Sequence, residues 1–181
     1  MGADASFGCH HIGGKGFIEW SLGYTMDPII ECFQAVPENH RWERVLGKLG
    51  APCCILGHIA LNEENLLKGF AQGITERKCP FPRELFDVFH PPTEGQLREG
   101  IPDSSKLVDY WRTVRDETLT CLKRLTPEEL RQRPEESTLR EGDGNRDNPI
   151  REFFIMAIQH QNCHWGELRA ICKILDLPMR W

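Results

Sequence analysis

The chain has 181 residues, of which 27% are charged and 40% hydrophobic, and its formal net charge at pH 7 is −5. These values indicate one globular domain that is long enough to bury a core without disulfide staples. The acidic balance argues against nucleic-acid binding, and no apolar run approaches the ~18–20 residues of a membrane span. Residues 1–16 lack the apolar core of a signal peptide, so we expect a cytoplasmic protein.

Eight cysteines are spread along the chain without a C-x-x-C pair. That spacing does not support a thiolate zinc site, and an even count without a secretion signal does not imply disulfides. We therefore interpret most of them as small buried hydrophobic residues. The adjacent Cys53 and Cys54 could be redox-active, but we expect two residues at a helix start, one buried and one exposed.

The N-terminal part of the chain predicts a tail followed by a helix. Residues 1–16 are rich in glycine, so we expect a flexible tail whose Cys9-His10-His11 cluster has no fixed geometry for a metal. The folded domain comprises residues 17–181. In it, Asp27-Pro28 has the pattern of an N-cap and a first helical residue, which places helix 1 mainly at residues 28–35 and leaves an upstream extension open.

Helix 2 is predicted at residues 51–72, where Ala-Pro opens it and Gly73 stops it. Its inner stripe carries apolar residues together with His58 and Asn62. Taken alone, His58 has the pattern of a hydrogen-bonded core histidine. Residues 75–103 are rich in proline and glycine, which predicts a long irregular connection that covers the mouth of a site or simply crosses the surface.

Two further helices follow, each with a capping sequence. Asp103 caps helix 3, which runs to about residue 125 with apolar residues spaced by three and four. The sequence TPEE at residues 126–129 has the pattern of a capping box and predicts a short helical turn. Asn148-Pro149 begins helix 4 in the same manner, and Pro178 ends it. No segment shows sustained period-two alternation, so the sequence predicts an all-α four-helix bundle.

The centre of helix 4 reads HQNCHWGE and carries His160 and His164. Because the two histidines are four residues apart on a helix, their rings project from one face, and apolar residues line the same face above and below them. Buried imidazoles need partners for their nitrogens, which are either hydrogen bonds in a packed core or one divalent metal ion. The pair alone leaves both open. Gln161 stands where a zincin carries its glutamate and cannot act as a general base, so the motif is not that of a zincin.

Two motifs together resemble the DinB/YfiT-like superfamily. The sequence GHIA at residues 57–60, with Glu63 after it, is similar to the second-helix motif G-H-[IL]-A-x-x-E of that family. The sequence at residues 160–167 is similar to its fourth-helix motif, H-E-x-x-H-x-G-[QE]. Between them, residues 110–130 resemble the third helix and its tail. The similarity covers residues 28–175.

The resemblance implies an up-down-down-up four-helix bundle with a divalent metal held by His58, His160 and His164. It also implies a homodimer and the thiol-dependent chemistry of some family members, which are S-transferases or a maleylpyruvate isomerase. Two positions depart from the family pattern. Gln161 replaces the usual glutamate, which puts an acid–base role there in doubt. Glu167 replaces the commoner glutamine and either accepts a hydrogen bond from a ligand ring or faces solvent.

Three histidines leave a coordination position open, as in catalytic metal sites. Zinc and nickel suit imidazole ligands, and iron is also compatible. Such an ion activates a water or a low-molecular-weight thiol, which predicts an S-transferase or a hydrolase for a small electrophilic substrate. Asn62 and Glu167 are the candidates for a catalytic role. Two alternatives stay open: a non-catalytic metal-binding stress or sensor domain, and a helical dimerisation module with packed histidines.

Overall fold

The computed structural model describes residues 14–44, 49–73, 103–135 and 147–178. These segments contain four long helices and no strand: α1 (Gly14–Ala35), α2 (Pro52–Glu64), α3 (Ser104–Arg124) and α4 (Ile150–Ile174). The all-α prediction is therefore confirmed for these segments, and the helices pack on one another as a bundle. None of the helices described is both long enough and apolar enough to cross a bilayer.

Two sequence predictions fall outside the described residues. One is the tail with its Cys9-His10-His11 cluster, up to residue 13; residues 14–16 of the predicted tail belong to α1. The other is the proline-rich connection between the second and third helices, of which the structure describes only Asp103.

Helix α1 begins well before the predicted N-cap. The prediction that Asp27 caps the helix is wrong, because Pro28 lies inside it. An interior proline removes a backbone hydrogen bond and costs ~3 kcal/mol. The turns before it offset that cost because they bury apolar side chains such as Ile18 and Leu22, each of which contributes about 1.5–3 kcal/mol. Core burial upstream thus outweighs the local signal for a helix start.

Helix α2 ends close to the predicted stop. A π-helical segment, Asn65–Phe70, continues it, and the chain leaves the helix at Gly73 with a φ of 67°. Glycine is favoured there because a Cβ atom is strained in this left-handed region. Within α2, every residue except His58 and Asn62 is buried. These two residues are therefore the points at which α2 meets solvent.

The predicted caps of α3 and of the following turn are confirmed. The Asp103 carboxylate accepts a hydrogen bond from the backbone N–H of Ser105 at 2.9 Å. Glu129 and Thr126 form the reciprocal bonds of a capping box, with 2.7 Å from the Thr126 N–H to Glu129 Oε2. Helix α4 differs, since it begins at Ile150 and its N-cap position is held by Pro149, which makes no capping hydrogen bond through its side chain. The prediction that the preceding Asn-Pro pair caps this helix is wrong by one position.

The core has two apolar clusters with a polar layer between them. One contains Met26, Ile59 and Leu168, and the other contains Leu22 and Ala157. The layer between them holds buried polar and charged side chains from all four helices. Their sequence numbers fall between those of the two clusters on each helix: Thr25, Glu63, Arg115 and Gln161.

The cysteines of the described segments are mostly buried and are free thiols. The expectation that only one of Cys53 and Cys54 is buried is wrong, because both are buried at the start of α2. Burial raises the pKa of the Cys54 thiol to about 11 and that of Cys53 further. Both therefore stay protonated at neutral pH, which makes them poor nucleophiles.

Candidate metal centre

Three histidine rings from two helices converge at one point. His58 comes from α2, whereas His160 and His164 lie one turn apart on α4. Nε2 of His160 lies 3.0 Å from Nε2 of His58 and 3.1 Å from Nε2 of His164. One ring nitrogen of each histidine lies within 4.8 Å of the other two. The structure thus brings together the three residues that the sequence names as ligands.

The spacing of these nitrogens fits a single divalent ion. Nitrogens about 2.0–2.1 Å from one ion, at angles of about 90–110°, lie about 2.8–3.4 Å apart. Nε2 of His160 has two close contacts, with Nε2 of His58 and with Nε2 of His164. In neutral rings without an ion, one N–H forms a good hydrogen bond at only one of these contacts. At the other contact, two nitrogen lone pairs face each other. A cation among the three lone pairs removes this conflict. The three histidines could therefore hold a metal ion.

Glu167 fixes the orientation of one ring. Its Oε2 atom lies 2.8 Å from Nδ1 of His164, one turn earlier on α4. Because a carboxylate only accepts, the Nδ1–H of His164 donates to it and Nε2 keeps its lone pair for the cluster. The side chain of Glu167 is 40% exposed. Glu167 therefore meets both expectations for its surroundings, since it contacts a predicted ligand ring and also reaches solvent.

The electrostatics of the cluster keep His160 neutral. Burial, and then the neighbouring rings of His164 and His58, lower the pKa of His160 to about 3. The cause is that a charged imidazolium is poorly solvated between these rings and is repelled by any charge on them. Neutral imidazole is the form that binds a metal. His160 is therefore ready to act as a ligand across the whole neutral pH range.

The cluster is partly exposed to solvent, and Asn62 lies one turn away from it. The three histidine side chains are only partly buried, and Asn62 follows His58 by one turn of α2. The Oδ1 atom of Asn62 is itself buried and has no hydrogen-bond partner among the described residues. A buried carbonyl oxygen without a partner costs about 1–3 kcal/mol. Asn62 therefore offers a free acceptor next to the predicted ligands.

Behind the histidines lies a buried polar cluster that sequence reasoning missed. Glu63 receives two hydrogen bonds from the Arg115 guanidinium, Nε to Oε1 at 2.8 Å and Nη2 to Oε2 at 2.9 Å. Trp111 donates its indole N–H to the same carboxylate at 2.8 Å. Gln161 donates to Glu63 at 3.1 Å and accepts from Arg115 at 2.8 Å. All four side chains are at most 2% exposed, so the ion pair is almost fully removed from water.

One signal for this cluster is present in the sequence. Arg115 follows Trp111 by four residues, which puts a cation on the buried face of α3. A buried arginine requires an anion, and Glu63 of the second-helix motif is a candidate. The structure also shows what Gln161 does: it is a buried hydrogen-bond bridge, beside the ring of His160 along the chain.

Comparison with known proteins identifies the family. The family model for the DinB superfamily matches residues 52–168, which is more than half of the chain. The chain belongs to the DinB superfamily. The DinB match spans the three converging histidines, Gln161 and Glu167, and it also contains the buried pair of Glu63 and Arg115. No curated protein matches the chain.

Proposed function

We propose that this DinB-superfamily protein is a metalloenzyme that acts in the cytoplasm on a small electrophilic substrate. The observation that carries the proposal is the convergence of three Nε2 atoms, 3.0 and 3.1 Å apart at His160, on side chains that are only partly buried. A structural zinc site has four protein ligands, whereas three ligands leave a position for a reactant. Among the His, Cys, Asp and Glu side chains of the described residues, only these three place their ligand atoms within 4.8 Å of one another.

Zinc or nickel, with iron as a further possibility, would supply a nucleophile at neutral pH by lowering the pKa of a water or thiol bound to it. The residues of the chain hold and orient the reactants. The three imidazoles bind the ion, and Glu167 holds His164 in the tautomer that leaves Nε2 free. Asn62 Oδ1 accepts a hydrogen bond from a donor of the substrate or of the nucleophile. These are the roles we propose for Asn62 and Glu167.

Elemental analysis of the purified protein tests the metal site. We expect about one divalent ion per chain in the unmodified protein and its loss in His160→Ala, which removes the ring that contacts both others. His40→Ala is the matched control because His40 is an exposed histidine outside the cluster, paired with Glu43. It should keep the ion. Metal bound equally by His160→Ala would contradict the proposed site.

A panel of small electrophiles, with and without small thiols, then tests the reaction. Turnover that needs a thiol and is lost in His160→Ala supports an S-transferase, and turnover without a thiol supports a hydrolase. A protein that holds its ion but turns over nothing in the panel is the alternative, a metal-binding stress or sensor domain. A protein without any stoichiometric ion is the other alternative, a helical dimerisation module with packed histidines.

We further propose an up-down-down-up order for the four helices. Glu64 pairs with Tyr110 and Lys68 with Glu117, so residue numbers rise in the same sense along α2 and α3. Thr25 pairs with Gln161 in the same manner between α1 and α4, where Cys172 also contacts Cys32. These contacts support two pairs of neighbouring helices with the same direction.

We also propose a homodimer whose interface includes an aromatic stripe on α1. Phe17, Trp20 and Tyr24 are each more than half exposed, and the rings of Trp20 and Tyr24 stack with centroids 5.1 Å apart. Gly23 lies beside them with open space around it, which allows another helix to approach closely. Analytical ultracentrifugation of Trp20→Glu should show a shift to monomer, whereas Gln34→Glu on the same helix should not.

A further inference from the structure

We propose that Gln161 is a positioning residue for the metal centre: its side-chain amide sets the register between the two helices that carry the ligands. This inference rests on the proposed metal site. It assigns to Gln161 a role that needs an amide, not the carboxylate of the family motif. The role is carried by the hydrogen bonds of Gln161 and by its place in the chain.

The place in the chain links the amide to the ligands. Gln161 follows His160 directly on α4, and Glu63 lies five residues after His58 on α2. The bond from Gln161 Nε2 to Glu63 Oε2, at 3.1 Å, therefore joins the ligand-bearing turn of α4 to the turn of α2 that follows His58. A shift of one helix along the other has to break this bond before it can separate the rings.

Apolar packing alone does not provide this control. Burial of apolar surface is non-directional, so it does not by itself select one register between two helices to within tenths of an ångström. Hydrogen bonds weaken steeply with distance and angle. A metal site requires a fixed register between the helices that carry its ligands, because the ligand nitrogens have to stay within a few tenths of an ångström of their positions. A directional hydrogen bond next to the ligands can fix this register.

The amide is itself held on both of its ends. Its Oε1 atom accepts from Arg115 Nη2 at 2.8 Å, and the hydroxyl of Thr25 lies 3.1 Å from the same oxygen. Arg115 in turn holds Glu63, so the three side chains form a closed ring of hydrogen bonds across α2, α3 and α4. Because the ring is buried, water does not replace a lost bond.

The chemistry of the ring explains why an amide stands at this position. Glu63 and Arg115 already balance each other in charge. An amide contributes both an acceptor for Arg115 and a donor for Glu63, without a further charge. A carboxylate in its place has no donor for Glu63 and adds a negative charge next to it. We therefore infer that the carboxamide of Gln161 is matched to this particular arrangement.

The test compares the zinc affinity and the cobalt spectrum of matched variants. Gln161→Met keeps the length of the side chain but removes its hydrogen bonds, and we expect zinc affinity to fall about 10- to 100-fold, as for other residues that orient ligands. The d–d absorption bands of the Co²⁺-loaded protein should shift or broaden. Gln159→Met is the matched control, since Gln159 is exposed on the same helix, and it should change neither measurement.

Two further variants separate positioning from general destabilisation. Leu122→Ala, in the core cluster away from the histidines, should lower the melting temperature but leave zinc affinity and the cobalt spectrum unchanged. Gln161→Glu should weaken zinc binding, and the exchanged pair Gln161→Glu with Glu63→Gln should bind zinc more tightly than Gln161→Glu alone, because it restores one donor and one acceptor.

The outcomes distinguish this inference from the proposed function. If the unmodified protein binds no zinc through its histidines, the proposed function fails. If it binds zinc and folded Gln161→Met keeps the same affinity and cobalt spectrum, the metal site stands and the positioning role of Gln161 is refuted. An affinity loss of the same size in Leu122→Ala would also refute it, since the loss would then report stability alone.

Discussion

Replacement of Arg115 by methionine should destabilise this protein severely. Arg115 is 2% exposed and provides the only cation that contacts Glu63 among the described residues. Methionine has a similar length and removes the charge, which leaves the Glu63 carboxylate buried with neutral donors only. Removal of one member of a buried ion pair costs about 3–5 kcal/mol. That is a large share of a total stability of about 5–15 kcal/mol for a typical domain.

Urea unfolding followed by circular dichroism measures this cost. For a chain of this size, 1 kcal/mol corresponds to about 2–4 °C, so we also expect a melting temperature lower by about 6–20 °C. Arg112→Met is the matched control, because Arg112 is exposed on the same helix. Its ion pair with exposed Asp109, at 3.8 Å, is a weak surface contact. Its cost should stay within about 0.5 kcal/mol.

A double variant isolates the charge effect. Glu63→Gln together with Arg115→Met removes both charges, so it should be less destabilised than the sum of the two single changes. If Arg115→Met costs no more than Arg112→Met, or if the two changes at 63 and 115 are additive, Glu63 is not dependent on Arg115. The reasoning about the buried polar layer would then be wrong.

Three further predictions concern the site. Glu167→Gln should weaken zinc binding about 10- to 100-fold, because the amide holds the His164 ring less strongly, whereas surface Glu152→Gln should not, as titration calorimetry would show. In the metal-free protein, NMR titration should show that the ring of His160 stays neutral down to about pH 4. The pKa of this ring is 6.5 in the unfolded chain and about 3 in the folded one. The free energy of unfolding should therefore fall as the pH drops from 6.5 towards 3. Trp111→Phe should cost about 1.5–3 kcal/mol in urea unfolding, since it removes an N–H bonded to a buried carboxylate; a cost below 0.5 kcal/mol (order of magnitude for a surface change) would contradict that bond.

The three clustered histidines could be named from the sequence because the two family motifs that carry them are local. The spacing of His160 and His164 places both rings on one helical face, and His58 lies in a short motif of its own helix. The structure brings these rings together, as the resemblance implies. The caps of α3 and of the turn after it were predictable for the same reason, since each depends on residues at most three apart.

The features that could not be predicted depend on contacts between distant parts of the chain. Pro28 has a strong local signal for a helix start, but burial of the turns before it extends the helix. Arg115 and Glu63 meet only because of the register between two helices, which periodicity along one helix does not reveal. In the sequence, Gln161 stands at the position where the family motif has a glutamate. Only its contacts with three side chains of other helices show that it is a buried hydrogen-bond bridge.

We propose above that three imidazoles from two helices bind one ion. X-ray absorption at the zinc edge, on protein loaded with one equivalent of zinc, tests it most directly. The claim predicts three histidine nitrogens at about 2.0–2.1 Å, plus a further light ligand at the open position, with the histidine signal reduced in His160→Ala. A spectrum that shows fewer than three histidines, or the same spectrum after His160→Ala, would contradict it.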